Sequence, residues 1–277
     1  MEKSSKALKA GTWSILGLLI LLTYVPFVLM IVISFRNNGQ IFTHFWSLPD
    51  PWIWRNYADV YKEISRNIFN SVTVSTIATA GVIFLSSLSG YVFGRLRFPG
   101  KEAIYYLILS LMMVPGILTI IPLFIQVTGY HLENTWYALI LPWVAGGQVF
   151  GIILCRTFIG SLPGELFECA RMDGASEFTS YFRIALPLIL PVLITLAVIN
   201  IVGNYNDFIW PLLVINSDEK QMVTVVLNSI GQKSGVNVTQ YGLRMAGYIM
   251  SSLPLLILFS FGMKYYISGV TSGAVKG

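Results

Sequence analysis

The chain has 277 residues, 55% of them hydrophobic and only 11% charged, with a mean hydropathy of +0.69. That balance excludes an ordinary soluble domain, and two cysteines exclude a disulfide framework. The net charge of +5 is spread along the edges of apolar runs, which marks membrane topology and excludes a nucleic-acid surface.

Six windows carry no Asp, Glu, Lys or Arg: 10–35, 67–94, 103–132, 134–155, 184–206 and 245–263. A helix rising about 1.5 Å per residue needs roughly 20 residues to cross a hydrocarbon core about 30 Å thick, so each window is long enough for one span. The gaps at 37–49 and 221–232 are too short and too polar. The expected fold is an all-α membrane protein, a single transmembrane domain over 1–277, with spans near 12–35, 67–94, 103–125, 135–156, 184–206 and 245–264.

The apolar run Trp13 to Ser34 is too long for a signal peptide and lacks a small-residue cleavage site, so it reads as an uncleaved first span with the N-terminus inside. Six spans return the C-terminus to the same side. This puts Lys3, Lys6, Lys9, Arg95, Arg97, Lys101, Arg156, Arg171, Arg183, Lys264 and Lys276 in the cytoplasm and seven bases outside. Residues 36–66 hold Phe45, Trp46, Pro49, Pro51, Trp52 and Trp54, a composition fit for the headgroup zone; they read as an interfacial lid or, alternatively, a sugar-stacking platform.

The second span begins near Asn70-Ser71, and its Ala78, Ala80, Gly81, Ser86, Ser87, Ser89 and Gly90 predict a central helix packed closely on others. In the third, Pro115-Gly116 and Pro122 predict bending, either a flexing or pathway element or a plain kink. The fourth contains Gly146-Gly147-Gln148, whose amide should turn from lipid, and Cys155 at its inner end.

Residues 161–183 are polar between long apolar runs, so this loop faces water, and both Cys155 and Cys169 are expected reduced. Ser161 and Pro163 predict a helix start, with Glu165 at the positive end of its dipole. Leu166, Phe167 and Ala170 fall on one side, Asp173-Gly174 interrupts, and Ser176 is placed to cap a second short helix with Phe178, Tyr181 and Phe182. Two such helices read as a knob for a socket on another protein, or as a loop folded onto its own membrane domain.

The fifth span starts at Leu186-Pro187 and Pro191. Near its outer end Asn200, Asn204 and Asp207 recur at i, i+4 and i+7, with Asn206 beside them. A polar stripe in a membrane marks a water-filled path or an interhelical contact, and we assign these four to the substrate pathway. Residues 212–244 form a polar outer segment able to meet a delivery protein, with a weak glycosylation sequon at Asn237.

Glu168-Cys169-Ala170, Asp173-Gly174-Ala175 and Leu186-Pro187 together resemble the EAA loop of bacterial ABC-transporter membrane subunits, with Cys169 where that family usually has alanine. Asn70-Ser71, the RLRFPGK turn at 95–101, Pro115, Pro122, YNDFIWP at 205–211 and the GAVKG tail resemble blocks of carbohydrate-uptake permeases related to the maltose transporter's second membrane subunit. Tyr205 departs, standing where a tryptophan usually precedes the asparagine.

The resemblance implies a permease subunit of an ATP-driven, binding-protein-dependent sugar importer in a bacterial cytoplasmic membrane. It implies that Glu165, Leu166, Phe167, Glu168, Cys169, Ala170, Asp173, Gly174, Ala175 and Phe178 couple to an ATP-binding cassette subunit. Leu166, Phe167 and Phe178 would grip, Glu168 and Asp173 would give polar register, and Gly174 would fix the angle between the helices. The implied partners are those cassette subunits, a second homologous permease, an extracytoplasmic solute-binding protein and the bilayer.

ATP and Mg would sit in the partner, with no cofactor in this chain. The nearest approach to a phosphate loop, GRLRFPGKE at 94–102, has the wrong glycine spacing and Glu102 where Ser or Thr is needed. His44 and His131 stand far apart, no nucleophile motif is present, and an enzyme is not expected. The rivals are an ABC permease for a polyamine or amino acid, and a secondary transporter, which needs a coupling-ion site.

Overall fold

The computed structural model describes residues 2–230 and 239–274, with side chains for 11–230 and 239–263. Asn237 and the last three residues of the GAVKG tail lie outside the described residues. The described residues form helices and connecting loops: α1 (Glu2–Ser34), α2 (Asn38–Thr43), α3 (Arg55–Arg95), α4 (Lys101–Ser110), α5 (Gly116–Gly129), α6 (Tyr137–Ser161) and α7 (Gly164–Met172) come first. Then follow α8 (Glu177–Ser180), α9 (Leu186–Leu188), α10 (Leu190–Asn206), α11 (Ile209–Val214), α12 (Val223–Ser229) and α13 (Tyr241–Ala274).

Four helices are long and apolar enough to cross a membrane unbroken: Gly11–Ser34 of α1, then α3, α6 and Tyr241–Met263 of α13. The other two windows are bent pairs, Lys101–Met113 with Gly116–Gly129 at 99° and Glu177–Leu188 with Leu190–Asn206 at 73°. Counting each pair as one span gives six.

The first bend has a local cause, since Val114 precedes Pro115 and is pushed to extended backbone (φ −84°, ψ 114°). Pro122 lies inside α5, which continues through it as helix. A proline removes one hydrogen bond, whereas unwinding in hydrocarbon would leave several backbone groups unsatisfied. The second bend falls at Ile189 (φ −94°, ψ 7°) between Pro187 and Pro191, after a π turn over Tyr181–Ala185.

The chain divides into two compact units, Met1–Ser65 with Val226–Leu253, and Arg66–Val225 with Pro254–Gly277. In the first, the apolar window of α1 is 0% buried. Phe35, just past α1, packs on Trp52, Trp54 and Tyr57 at centroid distances of 5.1, 4.7 and 5.0 Å. Arg36 is 1% exposed, and its guanidinium donates to the His44 and Phe45 carbonyls (2.7 and 2.8 Å) and to the Ser47 hydroxyl. A buried charge is tolerable only when so bonded, and here it ties residues 44–47 to the end of the first span. Trp46 and Trp54 remain exposed, as befits a headgroup-level segment.

In the second unit the small residues of α3 do what their type predicts. A Cβ on Gly81 would lie 2.9 Å from Val144, and one on Gly147 of α6 would lie 2.6 Å from Val82. One on Gly90 would collide with the Cys155 side chain and stand 3.0 Å from the Arg156 backbone nitrogen. Ser86 donates to Gln148 Oε1 (3.0 Å), which turns that amide toward α3. Two cores flank this seam, one around Ala78, Leu139, Trp143 and Trp210, the other around Tyr91, Ile159, Phe167 and Tyr181.

The Asn70-Ser71 block has a structural task as well. The Asn70 amide donates to the Glu219 and Gln221 carbonyls (2.8 and 3.2 Å), and the Ser71 hydroxyl accepts the Val223 N–H (2.9 Å).

Gly90→Leu is expected to lower stability by about 3 kcal/mol, because backbone as well as a side chain must give way. Gly146→Leu, with nothing within 4 Å of the added Cβ, is the matched control. Thermal unfolding in detergent distinguishes them; equal midpoints would remove the tight seam.

Candidate functional site

The loop between α6 and α10 is built from short-range rules. Ser161 closes α6, donating to the Phe158 carbonyl (2.9 Å), and does not start the next helix. Extended Pro163 precedes α7 with no side-chain cap, while Glu165 in the first turn and Arg171 in the last match the dipole. At the other end Gly174 takes φ +78°, its N–H bonds the Arg171 carbonyl (3.1 Å), and the Ala175 N–H bonds the Ala170 carbonyl (2.9 Å). This is a Schellman stop, which needs a residue free to turn left-handed. Ser176 then caps α8 as expected, accepting the Thr179 N–H at 3.2 Å.

The faces of α7 differ from expectation at one position. Phe167 is 7% exposed, with the Arg95 guanidinium 4.2 Å over its ring, so it cannot grip a partner. Leu166 and Phe167 stand about 100° apart on the helix, so one can turn outward while the other packs inward. Leu166 and Phe178 do so, at 43% and 69% exposure, joined by Met172, which is 88% exposed. The sequence reading passed over Met172, although its spacing from Glu165, Glu168 and Cys169 places it on their face. Glu165, Glu168, Cys169, Asp173 and Gly174 are exposed; Ala170 and Ala175 are half-buried.

Beneath this surface lies a set of contacts that the sequence reading did not single out. The Tyr91 hydroxyl donates to Glu177 Oε2 (2.7 Å), and Arg171 bonds Glu177 Oε1 (3.1 Å). Ser87 and Tyr181 share a hydroxyl bond of 2.8 Å. Arg95 donates to the Ile159 and Leu162 carbonyls at the end of α6, where a cation matches the negative dipole end. A polar cavity of about 700 Å³ opens here, lined by Tyr91, Arg95, Arg97, Glu168, Arg171 and Glu177 among others. Nearby, Arg156 clamps Glu102 through both carboxylate oxygens (2.9 and 2.8 Å) and stacks 3.5 Å over Tyr105.

The outer stripe comes apart. Asn200 donates to the Leu196 carbonyl of its own helix (2.9 Å), and Asn206, which is exposed, to the Val202 carbonyl (2.9 Å). Asn204 keeps a buried Nδ2 with no hydrogen-bond acceptor among the described residues. Asp207 does not extend the stripe, because α10 ends at Asn206 and the backbone turns extended (ψ 127°). Its carboxylate accepts from the Trp143 indole (2.9 Å) and the Trp210 N–H (3.3 Å), and its carbonyl from the Thr224 hydroxyl (2.7 Å). An apolar cavity of about 480 Å³ runs beside α10, lined by Ala197, Ile201 and Tyr205 with Pro254, Leu258 and Phe261; among the described residues no asparagine lines it.

Asp207→Ala is expected to cost about 2 kcal/mol, because it strands the buried Trp143 indole N–H, while Asp207→Asn keeps an acceptor and most of the stability. Melting curves of the two variants check this; equal losses would deny the carboxyl oxygen its task.

Residues 83–272, more than half of the chain, match the family of binding-protein-dependent transport system inner membrane components. The chain belongs to this family. It is therefore a multi-pass membrane component of such a transport system and not an enzyme. It is 35% identical to the arabinooligosaccharides transport system permease protein AraQ of Bacillus subtilis, over 76% of this chain and 73% of that one. It is 30% identical to the diacetylchitobiose uptake system permease protein NgcG of Streptomyces coelicolor, over 99% and 91%. A crystal structure of a bacterial ABC transporter importing the acidic polysaccharide alginate shares the fold, with a TM-score of 0.85 at 19% identity over 95% of this chain and 98% of that one.

Proposed function

We propose that this chain is a permease subunit of an ATP-driven sugar importer, moving a saccharide across a bacterial cytoplasmic membrane with both termini inside. The observation that carries the coupling role is the outward apolar face of α7 and α8, with Leu166, Met172 and Phe178 exposed on helices fixed from behind by α3. Exposed large apolar side chains on a water-facing loop call for a protein partner. The saccharide reading draws on relatives named for arabinooligosaccharide and diacetylchitobiose uptake.

The partner of that face is an ATP-binding cassette subunit, which would hold ATP and Mg. A second homologous permease completes the membrane part, and an extracytoplasmic binding protein delivers the solute. Closure of the ATPase pair displaces α7 and α8 together, Gly174 holding their angle, and the attached spans swing the solute path from one side to the other. Asn200, Asn204 and Asn206 are assigned to that path, Asn204 foremost because its buried amide nitrogen has no acceptor among the described residues.

Purification of the chain from its native membrane, followed by transport in vesicles with its delivery protein over a panel of sugars, amino acids and polyamines, tests the whole reading. An associated ATPase and uptake of a saccharide are expected. Uptake of a polyamine or amino acid alone would overturn the substrate class, and the absence of any ATPase would overturn the mechanism.

A further inference from the structure

Three side chains of α3 stand at four-residue spacing, Ser87, Tyr91 and Arg95, and so share one face of that helix. Each reaches the water-facing loop or its roots. Ser87 bonds Tyr181, Tyr91 bonds Glu177, and Arg95 covers the Phe167 ring while holding the last carbonyls of α6. Tyr91 also packs edge-on to Tyr181 at 5.6 Å and against Phe167 at 6.2 Å. Ser87, Tyr91 and Tyr181 are all buried.

We propose that Ser87, Tyr91 and Arg95 are positioning residues, a ladder that carries displacement of α7 and α8 into α3. This rests on the coupling reading above. The physical argument starts from connectivity. The loop is joined by chain to α6 through Leu162 and Pro163, and to α10 through the π turn and the bend at Ile189. To α3 it has no such join, since Tyr91 and Glu177 lie 86 residues apart. A push can therefore enter α3 directly only through side-chain contacts.

One contact would act as a pivot. Three contacts spread over two helical turns, about 12 Å along the axis, resist rotation as well as translation. Glu177 adds a crosstie, because it accepts from Tyr91 with one oxygen and from Arg171 with the other and so binds α8 to α7 across the Gly174 turn. A charge-assisted bond of this kind is among the stronger ones a side chain makes. From α3 the push continues into α6 through the close seam at Gly81, Ser86 and Gly90.

The test uses the complete complex, reconstituted with its ATPase, and reads solute imported per ATP hydrolysed. Tyr91→Phe keeps the ring and removes only the hydroxyl. We expect it to stay assembled and to lower that ratio by roughly tenfold or more, in line with loss of one charge-assisted hydrogen bond. Glu177→Ala, a change at an exposed position, removes that bond and the one to Arg171, so it should lower the ratio at least as much, and the double variant should fall no further than Glu177→Ala alone. Glu177→Gln retains an acceptor and should recover part of the ratio.

A Tyr91→Phe or Glu177→Ala complex with the parental ratio, or losses that multiply in the double variant, would overturn the ladder. Phe178→Asp separates the two levels of inference. If that outward change abolishes ATPase binding while Tyr91→Phe has no effect, the coupling face stands and the ladder alone fails; if it leaves binding and uptake intact, the underlying reading fails and the ladder with it.

Discussion

Gly174→Val is expected to abolish ATP-driven uptake while leaving the membrane domain folded. Gly174 sits at φ +78°, where a side chain costs about 1–2 kcal/mol and a β-branched one more. Nothing lies within 4 Å of a Cβ built there, so the effect comes through the backbone and not through a clash. Driven out of the left-handed region, residue 174 releases the bonds from Gly174 to Arg171 and from Ala175 to Ala170, and α8 with its Ser176 cap loses its direction relative to α7.

Gly174→Asn separates this cause from others, because asparagine tolerates the same region and should retain most uptake. Gly174→Asp is its charged near-isostere, placed next to Asp173 and three residues from Glu177, and is expected to insert normally but lose uptake. Vesicle transport with gel filtration of each variant gives the answer. Parental uptake by Gly174→Val would show that the turn does not set the geometry.

Leu166→Asp combined with Phe178→Asp is expected to weaken binding of the ATPase subunit by roughly a thousandfold. Burying an exposed Leu or Phe at an interface gains about 1.5–3 kcal/mol each, and about 4 kcal/mol for the pair corresponds to that factor. Both side chains point out of the fold, so the double variant should melt like the parent. Phe167→Ala gives the reverse pattern: it empties a site under Arg95 and should cost about 3 kcal/mol of stability before it touches docking. Titration of the ATPase subunit into the chain in nanodiscs, beside melting curves, reads both effects. Unchanged affinity in the double aspartate variant would remove the docking face.

What the sequence made legible was what local rules control. Charge-free windows placed the helices because a charge in hydrocarbon is costly, and Asp173-Gly174 and Ser176 revealed a stop and a start because capping is a matter of a few neighbouring residues. The small residues of α3 announced a close seam without naming α6 as its other half.

The misreadings have a common physical source, which is that contacts between distant segments override spacing. Phe167 looked like an anchor until Tyr91 and Arg95, more than 70 residues earlier, claimed its ring. Asp207 looked like the next step of a helical stripe by periodicity, but the helix ends at Asn206 and its carboxylate meets the indole of Trp143. Glu177 lay in plain view between Ser176 and Phe178 and gave no local signal of its tie to Tyr91.

The bare first helix bears on biogenesis. A segment with none of its apolar window buried draws no packing energy from the residues that follow it, so it can partition into lipid while the rest of the chain is still being synthesised. In the topology proposed above, Lys3, Lys6 and Lys9 would hold the N-terminal end of this helix on the cytoplasmic side, and the later crossings would take their direction from it.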